Sequence, residues 1–310
     1  MRKWLKSTDT IIFTVRDKTA YITLNRPERR NALTMKMLQE LHDALLEADD
    51  LTDVHSVVLA GAGPDFCAGW DLAGNDLNPV SAPVSAAANS AVPGIGAAGE
   101  EKAPSYRSAS ANIDDDSWQL ERINELRMIA FDMHKPMICR LHGNCIANGS
   151  DIAFLCDLLI ADENASIGYP PVRVQGSPAA HMWLYHVGPQ WAKRFLLTGD
   201  SISGRDAERI GLVLKAVPAA ELDDEIADLT RRFAAISPDL LACNKRIVNM
   251  GLELMGARTL QRLASETDAR GHLSNGRLEF RRTAQEHGVK EAVRRRDAPF
   301  GDGRIRMRKT

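Results

Sequence analysis

The segment of the chain best equipped for chemistry runs from His142 to Asp162. A glycine-punctuated loop opens it, followed by apolar residues at helical spacing and a short apolar run typical of a buried strand. The loop therefore presents backbone N–H groups near Asn148 and Gly149 at the start of a helix, where unpaired donors suit a developing oxyanion. Asp151 lies in the first turn of this helix, a position from which a carboxyl group can do acid–base chemistry.

Two interpretations of Asp151 stay open at this stage. An acidic residue in the first turn complements the helix dipole, so its role could be purely structural. The same position lowers the pKa of a carboxyl group unless burial opposes the effect, and a lowered pKa makes Asp151 a better base than acid.

A second candidate segment, Phe66 to Leu72, is rich in small residues, which let a backbone come close to a ligand. Asp71 within it is either the N-cap of a helix or a residue that shapes a pocket.

Strands and helices alternate around these two segments, which predicts an α/β fold with a mostly parallel sheet. Predicted strands are Ile11–Val15 and Ala20–Leu24 (a hairpin), Ser56–Ala60 and Met137–Leu141. Predicted helices are Met35 to about Asp50, with Thr34 as N-cap, and a helix capped by Ser117 that runs through Phe131 with Leu120, Ile123, Leu126 and Ala130 on its apolar face.

From Ala219 onward the pattern is almost wholly helical to about Arg296. We therefore predict two regions, a core at 1–218 and a helical C-terminal region at 219–310. An Ala-, Pro- and Ser-rich stretch at 75–116 interrupts the core and has no periodicity. It is typical of a surface insertion, with a lid over a substrate pocket as the alternative.

Composition narrows the class of protein. The 310 residues carry a formal net charge of -2, and no motif suggests a nucleic-acid surface. The basic N-terminus lacks the apolar run of a signal peptide, and no stretch has the length of a membrane span. The five cysteines show no metal-ligand spacing, and scattered thiols indicate a reducing cytoplasm.

Taken in order, these pieces resemble the crotonase family, also called the enoyl-CoA hydratase/isomerase superfamily. The resemblance covers nearly the whole chain apart from the insertion. It is carried by the blocks Ile22–Leu33, Val57–Leu72, Lys135–Pro170, Leu196–Gly199, Gly211–Val213, Val217-Pro218, Gly288-Val289 and Arg294–Gly301, together with Ala207.

The resemblance implies a crotonase-like spiral core of ββα units and a helical C-terminal region that trimerises. The expected assembly is a homotrimer or a hexamer built from two trimers. The expected substrate is an acyl-CoA thioester, with CoA as part of the substrate and no other cofactor or metal.

The resemblance also assigns site residues. It implies that the amides of Ala68 and Asn148 form an oxyanion hole, although both residues could instead serve tight-turn packing. Arg295 matches a basic position that reaches CoA phosphates, with a solvated helix face as the alternative. The remaining positions expected along CoA or the acyl group are Arg30, Ala32, Leu33, Asp71, Leu72, Gly149 and Pro171.

The sequence departs from the hydratases of this family, which use two glutamates. Asp151 matches the first, and the second falls at Pro171, which cannot transfer a proton. Tyr169, Arg173 or His181 could replace the lost carboxyl group. The family indicates an enoyl-CoA hydratase. The missing glutamate leaves open a hydrolase acting on a thioester or a β-dicarbonyl C–C bond, or a CoA-ester-binding protein that has lost catalysis.

Overall fold

The computed structural model describes residues 2–72, 107 and 112–308. The chain opens with the predicted hairpin, in which strands β1 (Ile11–Arg16) and β2 (Thr19–Leu24) pair antiparallel. Helix α1 (Met35–Asp50) follows, and the Thr34 side chain caps it by accepting a hydrogen bond from the Met37 N–H at 3.2 Å. The predictions for the hairpin, this helix and its cap are confirmed.

The main sheet has six strands in the order β1-β2-β3-β4-β6-β9, and every pairing beyond the hairpin is parallel. The mostly parallel α/β arrangement is therefore confirmed. The strands that complete the sheet are β3 (Ser56–Gly61), β4 (Met137–Leu141), β6 (Leu158–Asp162) and β9 (Lys215–Val217).

Alternate residues of the main sheet enter two different apolar cores. Val57 and Leu59 belong to the larger core beneath α1, whereas Val58 packs with Ile226 on the opposite face. Because both faces are covered, the central strands are continuous apolar runs rather than alternating ones.

A second sheet of four strands has the order β10-β8-β7-β5. Its strands are β5 (Asn144–Ile146), β7 (Ser166–Gly168), β8 (Ser201–Ser203) and β10 (Arg304–Ile305). Along the chain, β5 is followed by α3 (Asn148–Ala153), β7 by α4 (Trp183–Thr198) and β8 by α5 (Gly204–Arg209).

The C-terminal part of the chain is helical, as predicted. It consists of α6 (Leu222–Ala234), α7 (Pro238–Leu254), α8 (Ala257–Gly271), α9 (Asn275–His287) and α10 (Val289–Asp297). After α10 the chain returns to the second sheet as β10, so the last residues are not part of the helical region. The division into regions at residue 218 stays a prediction.

Helix α2 (Ile113–Asp132) begins five residues earlier than predicted. Its N-cap is Asn112, whose side-chain oxygen accepts from the Asp115 N–H at 2.9 Å, so the expectation for Ser117 is wrong. Three aspartates occupy the first turn, where negative charge is favourable. The last residues of the predicted insertion are thus helical, and most of the insertion lies outside the described residues.

The buried face of α2 also differs from the predicted one. Asn124 and Arg127 are buried, whereas Ile123 and Leu126 are only partly so. The helix packs against α8 along this face, and Asn124 donates to the Ser265 hydroxyl at 3.0 Å. This rotation places a charged side chain inside the protein. Within the described residues, no helix combines the length and apolar character needed to cross a bilayer.

Candidate active site

The junction between β5 and α3 is the framework of the candidate active site. Ala147 has φ 56° and ψ -131°, a conformation that turns the chain sharply into the helix. Its carbonyl accepts from the Ser150 N–H at 2.9 Å and from the Ser150 hydroxyl at 2.6 Å. The Asn148 N–H, at the start of α3, has no hydrogen-bond partner among the described residues.

The loop from Phe66 to Leu72 is fastened to this junction. The Cys67 N–H donates to the Asn144 carbonyl at 2.8 Å, and the Ile146 N–H donates to the Cys67 carbonyl at 3.1 Å. Gly149 has to be glycine here, since a Cβ at this position would lie 2.6 Å from the Cys67 oxygen. The two segments singled out in the sequence therefore form one unit.

Ala68 does not fill its predicted role. Its N–H donates to the Arg30 carbonyl at 3.0 Å, so this amide is occupied within the protein. A donor that already has a backbone acceptor is not free to bind an oxyanion, and the assignment of Ala68 is corrected on this ground.

The neighbouring amide of Trp70, by contrast, is directed away from the backbone that pairs with this loop. The Leu33 N–H donates to the Gly69 carbonyl at 2.7 Å, and the Asp71 N–H donates to the Leu33 carbonyl at 3.0 Å. In extended backbone, successive residues direct their polar groups to opposite sides, so the Trp70 N–H points away from Leu33. It has no hydrogen-bond partner among the described residues.

Gly69 brings this loop close to the start of α3. Its φ is +92°, and a Cβ built on it would lie 2.6 Å from the Ala147 Cβ and 3.5 Å from the Asn148 nitrogen. Only a glycine allows this approach. The Asn148 nitrogen therefore lies close to Gly69, the residue that precedes Trp70.

Asp151 is completely buried beside this contact. Its Oδ2 accepts from the Asn148 Nδ2 at 2.8 Å and from the Tyr169 hydroxyl at 3.3 Å, and it lies 3.9 Å from the Arg127 Nη1. Burial raises the pKa of Asp151 to about 7, although Arg127 acts in the opposite direction. A carboxyl group with this pKa exchanges protons readily near neutral pH.

Two charged residues near Asp151 were missed by the sequence interpretation. Arg127 comes from α2 and is 3% exposed. Asp268 comes from α8; burial raises its pKa to about 6, and its negative charge contributes to the raised pKa of Asp151. The His272 Nε2 lies 3.7 Å from the Asp268 Oδ1.

Of the three residues considered as replacements for the lost glutamate, Tyr169 contacts Asp151. Arg173 is engaged elsewhere, because it donates to the Thr198 carbonyl at 2.9 Å and pairs with Asp200 and Asp297. The main chain of His181 is fixed by α8 instead, with its N–H 2.7 Å from the Gln261 Oε1.

Pro171 lies in the 3-10 turn Pro170–Arg173, where its carbonyl accepts from the Gln175 N–H at 2.7 Å. Its ring offers no proton-transfer group at this position. Asp151 and Tyr169 therefore remain the candidates for proton transfer at this junction.

The residues expected along CoA divide into buried and exposed members. Ala32 and Leu33 are buried, and Leu33 binds the Phe66–Leu72 loop as described above. Asp71 pairs with Arg26 at 2.8 Å, whereas Arg30 and Leu72 are exposed. The exposed Arg295 pairs with Glu291 at 2.8 Å within α10. Their contacts with CoA stay predictions.

Metal ligation was also considered. Within residues 2–72, 107 and 112–308, no group of three or more His, Cys, Asp or Glu side chains is arranged to hold a metal ion.

Comparison with known proteins identifies the class. The sequence model of the enoyl-CoA hydratase/isomerase family matches residues 15–81 and 89–299. A Mycobacterium tuberculosis protein with enoyl-CoA hydratase in its name, EchA13, is 32% identical over 255 residues, covering 77% of this chain and 72% of that protein. The crotonyl-CoA hydratase of Syntrophomonas wolfei is 28% identical over 297 residues, covering 94% and 98%.

A solved structure agrees with these matches. The crystal structure of an enoyl-CoA hydratase from Mycobacterium smegmatis superposes with a TM-score of 0.82 at 35% identity, and covers 96% of this chain and 97% of that chain. The chain belongs to the enoyl-CoA hydratase/isomerase family, and the crotonase fold predicted from its sequence is confirmed.

Proposed function

We propose that this protein is an enzyme that acts on an acyl-CoA thioester through an enolate intermediate. The amides of Trp70 and Asn148 bind the thioester oxygen as it gains negative charge, and Asp151 transfers the proton at the α-carbon. One observation carries this proposal: the amides of Trp70 and Asn148, which have no hydrogen-bond partner among the described residues, lie in the same region as a buried carboxyl group whose pKa is about 7.

The neutral pKa of Asp151 suits a residue that both takes and returns a proton. At pH 7 its ionised and protonated forms are present in similar amounts, so neither direction of transfer is strongly uphill. The oxyanion donors supply the larger stabilisation, since loss of one such donor costs about 3 kcal/mol in enzymes of this kind.

Hydration is the reaction that the family favours. The Syntrophomonas wolfei relative is named a crotonyl-CoA hydratase, which supports an enoyl-CoA substrate for this chain. Addition of water requires one group to activate the water and another to protonate carbon. Asp151 and the Tyr169 hydroxyl, 3.3 Å apart, supply the two proton-transfer groups for this reading.

Pro171 favours a second candidate, a hydrolase of a thioester or a β-dicarbonyl C–C bond. Such a reaction uses the same oxyanion hole. Its proton transfers differ from those of hydration, so the second glutamate of the family's hydratases is dispensable. A third interpretation of Pro171 is a protein that has lost catalysis but still binds CoA esters.

Incubation of the purified protein with a panel of enoyl-CoA esters, followed by mass spectrometry, separates these candidates. Gain of one water with the thioester intact is the expected result. Free CoA or a shortened acyl group would establish the hydrolase. Binding of the esters without any change in mass or in the position of the double bond would contradict the proposal that the protein is an enzyme.

We further propose that the protein assembles as a trimer or hexamer through its C-terminal helices and works in the cytoplasm. Support for assembly comes from apolar side chains left exposed near the end of α7, among them Ile247, Val248, Met250, Leu254 and Met255. All five cysteines are free thiols, which is typical of a reducing compartment. Light scattering measures the mass of the protein in solution, and the mass of a monomer would contradict the proposed assembly.

A further inference from the structure

Arg127 is a buried guanidinium with one edge unused. Its side chain is 1% exposed, and its Nη1 donates to the Asn124 Oδ1 at 3.2 Å. Its Nε and Nη2 are buried and have no hydrogen-bond partner among the described residues. Burying a charged donor without an acceptor is costly, so a ligand that supplies the acceptor would be bound strongly.

This unused edge belongs to the candidate active site. The Arg127 Nη1 lies 3.9 Å from the Asp151 Oδ2, and the Arg127 Cζ lies 5.5 Å from the ring centroid of Trp70. The Asp151 Oδ1 is likewise buried and unpartnered among the described residues. The open donors thus lie beside the proposed acid–base residue and the residue that supplies an oxyanion-hole amide.

A purely structural role does not explain Arg127. Arg173 shows what a structural arginine in this protein does, since its three nitrogens donate to the Thr198 carbonyl, Asp200 and Asp297. Arg127 cannot avoid the cost by losing its proton, because a guanidinium stays charged in proteins. Asp151, with a pKa of about 7, neutralises it only in part at neutral pH.

The geometry of the edge points to one class of acceptor. The Nε–H and one Nη2–H of a guanidinium are parallel and match the two oxygens of a carboxylate. We propose that Arg127 binds a carboxylate carried by the acyl group, so that the preferred substrates are CoA thioesters of dicarboxylic acids. This inference rests on the proposed function, because it places the acyl group at the Trp70 and Asn148 amides.

The short distance between Arg127 and Asp151 limits the length of the acyl group. The carboxylate lies only a few bonds from the carbon that exchanges its proton with Asp151, which favours short dicarboxylic chains. The Arg127 guanidinium lies over the Trp70 ring, a contact that stabilises the cation.

Isothermal titration with two four-carbon thioesters tests the inference. Succinyl-CoA carries the carboxylate and butyryl-CoA does not. The wild-type protein is expected to bind succinyl-CoA at least about tenfold more tightly, as a charge-assisted pair of hydrogen bonds requires. Arg127→Met should abolish the ratio between the two affinities, and Arg127→Lys should retain part of it. Arg122→Met, an exposed arginine on the same helix, is the matched control and should change neither affinity.

Equal affinity of the wild-type protein for the two thioesters would overturn the inference and leave the proposed function standing. A preference that survives in Arg127→Met would also overturn it. If neither thioester binds, the proposed function fails as well. The comparison within the wild-type protein decides the matter even if Arg127→Met does not fold.

Discussion

Replacing Asp151 with asparagine should change how the stability of the protein depends on pH. Burial raises the pKa of this carboxyl group from 3.8 to about 7. A group whose pKa is raised on folding stabilises the folded state fully below its unfolded pKa, and this stabilisation is lost as the pH rises through the folded pKa. Asp151 should therefore weaken the protein progressively between about pH 4 and pH 8.

The size of the effect follows from the pKa difference. Each pKa unit corresponds to about 1.4 kcal/mol, so the full cost of ionising Asp151 approaches about 4 kcal/mol. Between pH 5.5 and pH 8 the share that is lost is about 2 kcal/mol. Asparagine is neutral at every pH and lacks this dependence.

Urea unfolding of the wild type and Asp151→Asn at pH 5.5 and pH 8, at one protein concentration, measures the effect. The free energy of unfolding of the variant relative to the wild type should rise by about 2 kcal/mol from the lower to the higher pH. The attraction between the ionised carboxylate and Arg127 is already contained in the pKa of about 7, so it adds no separate contribution. Asp53→Asn, on the exposed surface, is the control. The same difference at both pH values would refute the raised pKa.

Two further substitutions probe the site. Tyr169→Phe removes a hydrogen bond that lowers the pKa of Asp151, so the pKa seen in the pH–rate profile should rise, and a downward shift would contradict the contact. Gly69→Ala should reduce turnover at least about tenfold and cost about 1–3 kcal/mol of stability, because its new Cβ meets the Ala147 Cβ. Gly211 has a similar positive φ, but a Cβ built on it would have nothing within 4 Å. Gly211→Ala should therefore lower stability in urea unfolding but leave turnover unchanged. Equal losses of turnover in the two alanine variants would contradict the explanation.

The elements with strong local signals were predictable from the sequence. The hairpin, α1 and the buried strands follow from periodicity and from the Thr34 cap, which act over a few residues. The start of α2 was not predictable from the sequence, because three aspartates after a polar stretch resemble a loop. Their favourable position at a helix N-terminus becomes evident only once Asn112 is recognised as the cap.

The choice between Ala68 and Trp70 depends on contacts that are distant in sequence. Neighbouring amides of an extended loop point to opposite sides, and the pairing of the loop with Leu33 and the Arg30 carbonyl decides which one stays free. The residue types within the loop do not indicate that pairing. The sequence therefore indicates the segment, whereas the choice of amide within it depends on the fold.

The role of Arg127 did leave a signal in the sequence. Leu120, Asn124, Arg127 and Phe131 recur at spacings of four, three and four residues, which places them on one face of a helix. An amide and a guanidinium on the same face as two large apolar side chains indicate a buried polar contact. The predicted face through Leu120, Ile123, Leu126 and Ala130 contains only apolar residues and does not include Arg127.

Exchange of the α-protons of a saturated thioester in D2O tests enolate formation at this site most directly. Butyryl-CoA and succinyl-CoA are incubated with the protein, and deuterium at the α-carbon is followed by mass spectrometry. The wild type should catalyse exchange on at least one of them, and Asp151→Asn should be slower by about a hundredfold or more. Binding of both thioesters without exchange, or equal exchange by the variant, would contradict an enolate mechanism that depends on Asp151.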